Sequence, residues 1–139
     1  MASIVNKRTV TIEWGQCDPA GIVFYPRYFE MIDHSTAVLF QAVLGVNKKQ
    51  LQERYSADMP LVGVNGKFLG QLRYGDVVDI ESEIAEFRKS SFDVRHRLIK
   101  NGKVCVEAQE TRVWIGFDEN GAMKSQPVPD EFRTKFLAQ

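Results

Sequence analysis

The segment Arg27–Leu44 constrains the fold more than any other, because its apolar side chains recur at helical spacing and surround most of the predicted helix. One stripe contains Phe29, Ile32, Thr36, Leu39, Phe40 and Val43, and it is widened by Tyr28, Met31, Val38 and Ala42. Gly45 is a candidate cap for this helix. A helix that is apolar on most sides must be buried. A flat sheet covers only one side of a helix, so the rest of the chain must supply a sheet that curls around it.

Most of the remaining chain has the composition of β-strands. Apolar and polar residues alternate in Arg8–Trp14, which predicts one strand ahead of the long helix. Further strands, rich in Val, Ile and Phe, are predicted at Pro60–Leu69, Val77–Phe87, Ser91–Ile99 and Val104–Phe117. Asn101-Gly102 is typical of a tight hairpin turn, and we expect the later strands to form an antiparallel meander. Short helices are predicted at Lys48–Tyr55 and Pro129–Phe136.

The composition limits the classes of function. At 139 residues with 44% hydrophobic content, the chain fits a single domain, residues 1–139, with a substantial core. Lys plus Arg and Asp plus Glu are both 18, and this balance argues against a nucleic-acid partner. Cys17 and Cys105 are far apart, so we expect neither a metal nor another cofactor. The N-terminus does not resemble a signal peptide and no segment predicts a membrane span, so we expect a cytoplasmic protein.

The loop Gly15–Pro26 is the strongest candidate for a functional site. Asp18 precedes a proline there, and Pro26 is suited to the first turn of the long helix. The N–H groups at the start of a helix have no partner within it, and they favour negative charge on a bound carbonyl oxygen. A carboxylate beside such donors indicates acyl chemistry, although an Asp in this kind of loop can also serve only to hold the turn.

The same stretch, Gly15–Tyr28, resembles the signature of the 4-hydroxybenzoyl-CoA thioesterase family. The similarity is strongest at Cys17-Asp18-Pro19-Ala20-Gly21-Ile22-Val23 and at Tyr25-Pro26, and it continues to Glu86-Phe87-Arg88-Lys89 and Ser91-Phe92. The resemblance implies an α+β hotdog fold, in which a curled antiparallel sheet wraps around one long central helix. It also implies a homodimer or a homotetramer built as a dimer of dimers, with acyl-CoA held at the subunit interface.

The resemblance also assigns roles to individual residues. It places the catalytic carboxylate on Asp18 and the carbonyl-polarising main-chain N–H on Tyr25. It places Asp33 toward the acyl end of the substrate pocket, and nucleotide contacts on Arg88 and Lys89. A thiol is a good leaving group, so no strong general acid is needed. Asp18 can therefore act as a nucleophile that forms a mixed anhydride, or as a base that deprotonates water.

Several candidate residues also have ordinary structural explanations. Cys17 has no histidine at a recognisable spacing, so a thiol nucleophile is disfavoured. Asp33 and His34 lie on an otherwise apolar helix and need partners or a polar pocket. His96 fits a strand residue with satisfied hydrogen bonds better than a base. Arg88 begins a basic segment that is either a solvated strand edge or a clamp for the phosphates of CoA.

The sequence therefore predicts an acyl-CoA thioesterase that releases a carboxylic acid and free CoA. The aromatic residues around Tyr25 fit an aryl or short acyl group, and they also fit ordinary core packing. Gln16 replaces an acidic residue of the family's type enzyme, and another branch of the family has histidine where Tyr25 stands, so the substrate need not be 4-hydroxybenzoyl-CoA. Ser90 replaces a basic residue of the type enzyme, which weakens the case for a phosphate clamp at Arg88 and Lys89. An acyl-carrier-protein thioesterase and a non-catalytic acyl-CoA-binding module are the alternatives.

Overall fold

The computed structural model describes residues 2–138, which fold into three helices and eight strands. The helices are α1 (Tyr25–Leu44), α2 (Lys48–Tyr55) and α3 (Asp130–Lys135). The strands are β1 (Asn6–Thr11), β2 (Ala57–Asp58), β3 (Leu61–Phe68), β4 (Val77–Phe87), β5 (Ser91–Lys100), β6 (Lys103–Val113), β7 (Ile115–Phe117) and β8 (Met123–Ser125). This is the expected α+β class, and no helix of the described chain is long and apolar enough to cross a membrane.

The main sheet is antiparallel and has the order β1-β4-β5-β6-β3. The predicted hairpin turn between β5 and β6 is confirmed, because Asn101 and Gly102 both have positive φ, 51° and 74°. The expected meander is wrong at β3, which pairs with β6 at the far edge and not with β4. The β3–β4 connection instead binds the Asp18 loop, since Val23 N–H donates to the Leu72 carbonyl at 2.9 Å. The pattern of apolar and polar residues alone does not determine the order of strands in a sheet. Here the β3–β4 connection supports the candidate site.

Two predicted strands end earlier than expected. Trp14 begins a 3₁₀ turn, Trp14–Gln16, and is 57% exposed, so it does not continue the buried face of β1. The segment predicted as one strand to Phe117 is divided at Trp114, whose N–H donates to the Ser90 carbonyl at 2.8 Å. After this break β7 joins a second, three-stranded sheet with the order β2-β7-β8. Neither β2 nor β8 is evident from the sequence pattern, because both strands are very short.

Helix α1 ends as predicted at Gly45, which adopts the left-handed conformation with φ 72°. In the single chain the helix is buried along one side only. The buried side carries Tyr28, Met31, Ile32, Ser35, Thr36, Leu39 and Phe40. Asp33, His34 and Ala42 are exposed, so the expected burial on most sides is not achieved within one chain. The sheet provides the cover on the buried side.

A polar layer divides the core into two apolar clusters. The first cluster contains Tyr28 and Ile32 of α1, and the second contains Leu39 and Phe40. Between them lie Ser35, Thr36, Ser82, His96, Glu110 and Arg112, all of which are buried. Strand β4 shows the order clearly, because Ile80 faces the first cluster, Ser82 the polar layer and Ile84 the second cluster.

Candidate active site

The Asp18 loop holds its carboxylate by one oxygen. Asp18 Oδ1 accepts hydrogen bonds from the N–H groups of Ala20 at 2.9 Å and Ile22 at 3.4 Å. Asp18 N–H donates to the Ile22 carbonyl, and Gly21 N–H donates to the Asp18 carbonyl, both at 2.9 Å. Within residues 2–138, Oδ2 has no hydrogen-bond partner. The Asp therefore holds the turn, as the structural explanation predicts, and still presents one oxygen outward.

The start of α1 is hydrogen-bonded to this loop and leaves one backbone N–H without an acceptor in the described chain. Phe24 N–H donates to the Gln16 carbonyl at 2.9 Å, and Phe24 is the extended residue that precedes the helix. Tyr25 is the first helical residue and is followed by Pro26. Its N–H meets no acceptor in the described part of the chain. Proline supplies no N–H, so the Tyr25 donor stands alone at this end of the helix.

A hollow of about 270 Å³ lies beside the carboxylate. Its lining consists of Gly15, Cys17, Asp18, Pro19, Phe24 and Arg27. Cys17 is half-buried, and its thiol donates to the Glu13 carbonyl at 3.6 Å. The lining includes no histidine that could activate this thiol, so Asp18 is the residue with the better geometry for chemistry. The walls are mostly apolar, which strengthens any charge interaction inside.

Asp33 has the partner that its place on α1 requires. The Arg112 guanidinium donates from Nη2 to Asp33 Oδ1 at 2.7 Å. The Asp33 side chain is 65% exposed, whereas that of Arg112 is only 6% exposed. Asp33 and its exposed neighbour His34 line a second cavity further along the helix. The structure thus places Asp33 at a pocket without placing it in the Asp18 hollow.

The polar layer explains why His96 is not a candidate base. The ring is fully buried, with Nδ1 2.7 Å from Ser82 Oγ and Nε2 3.1 Å from Thr36 Oγ1 and 3.2 Å from Glu110 Oε1. Burial opposes the Glu110 charge, but hydrogen bonds from His96, Arg112 and Thr36 outweigh it and lower the pKa of Glu110. This confirms His96 as a strand residue with satisfied hydrogen bonds.

Glu110 and Arg112 were missed by the sequence interpretation. The strand alternation contains the signal, because Val106, Ala108 and Glu110 share one face of β6, and the first two are core residues. A charged residue on that face must have a buried partner. Burial opposes the charge of Arg112, but Glu110 and Asp33 outweigh it and raise the pKa of Arg112. The buried ion pair is thus kept in its charged form.

The proposed phosphate contacts lie far from Asp18 within one chain. Arg88 follows the last residue of β4, whereas the Asp18 loop binds the connection that leads into the start of that strand. Eleven residues of strand span roughly 30 Å. Arg88 donates two hydrogen bonds to Asp93, at 2.6 and 2.9 Å, and these bonds lower the pKa of Asp93. Lys89 is exposed. A single chain therefore does not bring these cations to the carboxylate.

The described residues contain no group of three or more His, Cys, Asp or Glu side chains arranged to hold a metal ion. At the loop, the groups without a partner are one carboxylate oxygen, Asp18 Oδ2, and one main-chain N–H, that of Tyr25. That set suits a carbonyl group whose oxygen gains negative charge during the reaction.

Comparison with known proteins places this architecture in a family. Residues 12–136 match the model of the thioesterase-like superfamily. The chain is 33% identical over 127 residues to 4-hydroxybenzoyl-CoA thioesterase of Pseudomonas sp. (strain CBS-3), which covers 87% of this chain and 89% of the relative.

Two solved structures agree with this match. An aspartate-to-asparagine mutant of 4-hydroxybenzoyl CoA thioesterase, complexed with 4-hydroxybenzoyl CoA, superimposes with a TM-score of 0.84 at 27% identity over 96% of this chain and 99% of that chain. A gentisyl-coenzyme A thioesterase gives a TM-score of 0.79 at 28% identity over 94% and 98% of the two chains. These similarities confirm the hotdog fold, and the chain belongs to the thioesterase-like superfamily.

Proposed function

We propose that this protein hydrolyses an acyl-CoA thioester to a carboxylic acid and free CoA. The proposal is carried by two groups of the loop and the helix start that have no partner in the described chain, one oxygen of the anchored Asp18 carboxylate and the N–H of Tyr25. The thioester carbonyl oxygen would accept from Tyr25 N–H while negative charge develops on it. The relatives support the same chemistry, since both named enzymes are thioesterases of aryl-CoA esters.

Hydrolysis can follow two routes that use the Asp18 carboxylate. In the first, Oδ2 attacks the carbonyl carbon, the C–S bond breaks and the CoA thiolate takes a proton from solvent. Water then hydrolyses the mixed anhydride and regenerates the carboxylate. In the second, Asp18 removes a proton from a water molecule that attacks the carbonyl directly. We favour the first, because Oδ2 is the oxygen that the loop leaves without a partner.

In this proposal, residues of a second copy of the chain help to bind CoA. Arg88 and Lys89 lie roughly 30 Å along β4 from the loop that carries Asp18, so cations from a partner subunit would have to hold the phosphates. Arg88 is engaged by Asp93, which leaves Lys89 the more available cation. Strand β3 offers the contact surface, because it is an edge strand with exposed apolar side chains. They are Leu61, Val62, Val64 and Phe68.

Replacing Val64 with lysine is expected to dissociate the dimer. Val64 is 41% exposed on β3, and a charge at a strand edge opposes pairing with a second copy. Light scattering should give about twice the 15.8 kDa chain mass, or a multiple of it, for the native protein and a lower mass for the variant. The matched control is Val77→Lys, since Val77 is 59% exposed but lies on β4, which has partners on both sides. An unchanged mass for Val64→Lys would remove β3 from the interface.

Thiol release from a panel of thioesters tests the proposed activity. The panel contains 4-hydroxybenzoyl-CoA, phenylacetyl-CoA, acetyl-CoA, and the 4-hydroxybenzoyl esters of pantetheine and acyl-carrier protein. We expect the aryl-CoA esters to react fastest and the pantetheine ester to have a higher KM, because it lacks the nucleotide phosphates. Faster reaction of the carrier-protein ester would favour the acyl-carrier-protein alternative. Binding of acyl-CoA without thiol release would favour the binding module.

The proposal includes a cytoplasmic location. Cys17 and Cys105 are both free, and free thiols fit a reducing compartment. Acyl-CoA esters would reach the enzyme there directly.

A further inference from the structure

The turn Arg88–Ser90, which joins β4 to β5, is anchored through its carbonyl groups. The Arg133 guanidinium of α3 donates from Nη2 to the carbonyl oxygens of Arg88 and Lys89, and the second of these distances is 3.0 Å. Val128 N–H donates to the same Lys89 oxygen at 2.8 Å. Arg133 Nε also donates to the Val128 carbonyl at 3.2 Å, so one side chain joins the turn to the segment before α3.

This anchoring determines the direction in which the N–H groups of the turn point. The peptide bonds of the turn are trans, and the C=O and N–H bonds of a planar trans peptide unit point in opposite directions. Since the Arg88 and Lys89 carbonyls point toward Arg133, the N–H groups of Lys89 and Ser90 point away from it. Neither N–H has an acceptor in the described part of the chain. The turn therefore presents two adjacent main-chain donors on the side opposite Arg133.

The Arg133 side chain is itself fixed on several sides. Its guanidinium lies over the Phe87 ring, 5.4 Å from the ring centroid, and this cation–π contact accompanies the hydrogen bonds. The preceding residue of α3, Phe132, is fully buried in the second apolar cluster and holds the helix against the core. All hydrogen bonds of Arg133 within residues 2–138 go to main-chain carbonyls. Arg133 therefore holds the turn and does not neutralise an acidic side chain.

We propose that Arg133 is a positioning residue for CoA, which holds the turn so that the N–H groups of Lys89 and Ser90 donate to a phosphate oxygen. The inference rests on the proposed thioesterase function, in which this turn of a second copy of the chain contacts the nucleotide. Arg133 does not touch the phosphate in this arrangement. It fixes both donors before CoA binds, and a site that is already ordered loses less entropy on binding. The contact with CoA therefore depends on a side chain of α3 that lies behind the turn.

Main-chain donors matter at this turn because its side chains offer few free donors. Arg88 donates to Asp93 at 2.6 and 2.9 Å and to Glu86 at 3.2 Å, so its guanidinium is engaged. Ser90 carries no charge, and Lys89 is the exposed cation of the turn. Hydrogen bonds from main-chain N–H groups to a charged phosphate are stronger than those between neutral groups. Two oriented N–H groups beside one ammonium thus match the several acceptor oxygens of a phosphate.

The 4-hydroxybenzoyl esters of CoA and of pantetheine test the proposal, because only the CoA ester carries the nucleotide phosphates. Arg133→Met keeps an unbranched apolar stem over Phe87 and removes the donors. We expect KM for the CoA ester to rise about 10-fold with kcat within about twofold of the native value, since the hydrogen bonds to phosphate lose their geometry. KM for the pantetheine ester should stay unchanged. An equal rise for both esters, or no rise for the CoA ester, in a folded Arg133→Met variant would overturn the proposal.

Two further variants separate the geometry of the guanidinium from its charge. Arg133→Lys keeps the charge, but a single ammonium does not reproduce the planar fork that reaches three carbonyls, so KM for the CoA ester should still rise several-fold. Lys135→Met removes a positive charge from the exposed side of the same helix and should leave KM unchanged. A native KM in Arg133→Lys, or the full rise in Lys135→Met, would assign the effect to charge and overturn the proposal. If Arg133→Met fails to fold, Arg133→Lys decides.

Free CoA distinguishes failure of this inference from failure of the proposed function. In NMR spectra of the native protein, CoA should shift the amide resonances of Lys89 and Ser90, and unmoved resonances would overturn the proposal. Calorimetry should give about 10-fold weaker CoA binding by Arg133→Met. That result without thiol release from any ester would support the role of Arg133 and reject the hydrolase. Thiol release with unchanged KM and unchanged CoA affinity in the variant would support the hydrolase and reject the role of Arg133.

Discussion

Replacing Asp18 with asparagine is expected to lower kcat at least about a hundredfold while leaving substrate binding nearly unchanged. The amide keeps the shape of the carboxylate, and its oxygen can still accept from the N–H groups of Ala20 and Ile22. It cannot attack a thioester or take a proton from water. Thiol release under saturating acyl-CoA measures the loss, and calorimetry with the same ester measures the binding.

The chain provides a matched control for this change. Asp118 holds its own loop in the same way, because its Oδ1 accepts from the N–H groups of Asn120 and Ala122, both at 2.9 Å. Gly121 N–H donates to the Asp118 carbonyl at 2.9 Å, as Gly21 does to Asp18. Asp118→Asn therefore reproduces the cost to the turn and should leave kcat unchanged. Equal activity of Asp18→Asn and the native enzyme would remove Asp18 from the mechanism.

A single turnover in ¹⁸O-labelled water distinguishes the two roles of Asp18. If Asp18 Oδ2 attacks the thioester, water then hydrolyses the mixed anhydride at one of its two carbonyl carbons. Attack at the Asp18 carbonyl carbon places ¹⁸O in the Asp18 peptide, and label there demonstrates the covalent route. Label confined to the released acid means that water attacks the acyl carbon, and mass spectrometry of the rapidly quenched enzyme then decides between the routes, because only the covalent route forms an acylated Asp18 peptide.

The parts of the fold that follow from local chemistry were predictable. The spacing of apolar residues in Arg27–Leu44 predicts α1, and Gly45 and Asn101-Gly102 have backbone conformations that few other residues adopt. The position of β3 was not predictable in the same way, because its pairing with β6 depends on contacts between residues distant in sequence. Without the strand order of the main sheet, the contact between the β3–β4 connection and the Asp18 loop could not be predicted either.

The candidate site likewise has one part that local sequence predicts and another that depends on strand pairing. The loop carboxylate and the helix start are adjacent in sequence, so their proximity follows from the motif itself. The polar layer joins residues from α1, β4, β5 and β6, and its members become neighbours only when the strands pair with Ser82 opposite His96. Arg112 belongs to that layer, which explains why its place beside Asp33 was not predicted. The separation of Arg88 from Asp18 likewise depends on the length of β4.

Replacing Tyr25 with proline is expected to lower kcat about 100- to 1,000-fold, because it removes the N–H that polarises the thioester carbonyl. The fold should tolerate this change. Tyr25 is the first residue of α1, the helical position at which proline is favoured. Phe24 has φ −70° and ψ 123°, which is the conformation that a residue before proline prefers. Circular dichroism and the melting temperature check the fold, and thiol release measures kcat.

Tyr25→Ala is the matched variant, because it removes the ring and keeps the N–H. The Tyr25 side chain is 61% exposed and its ring contacts Phe24, so its loss should have a small effect on stability. If the main chain polarises the carbonyl, Tyr25→Ala keeps most of the activity while Tyr25→Pro loses it. Equal losses in the two variants would assign the effect to the ring. Full activity in a folded Tyr25→Pro variant would show that another donor binds the oxygen, and Asp18 would then act without the helix N-terminus.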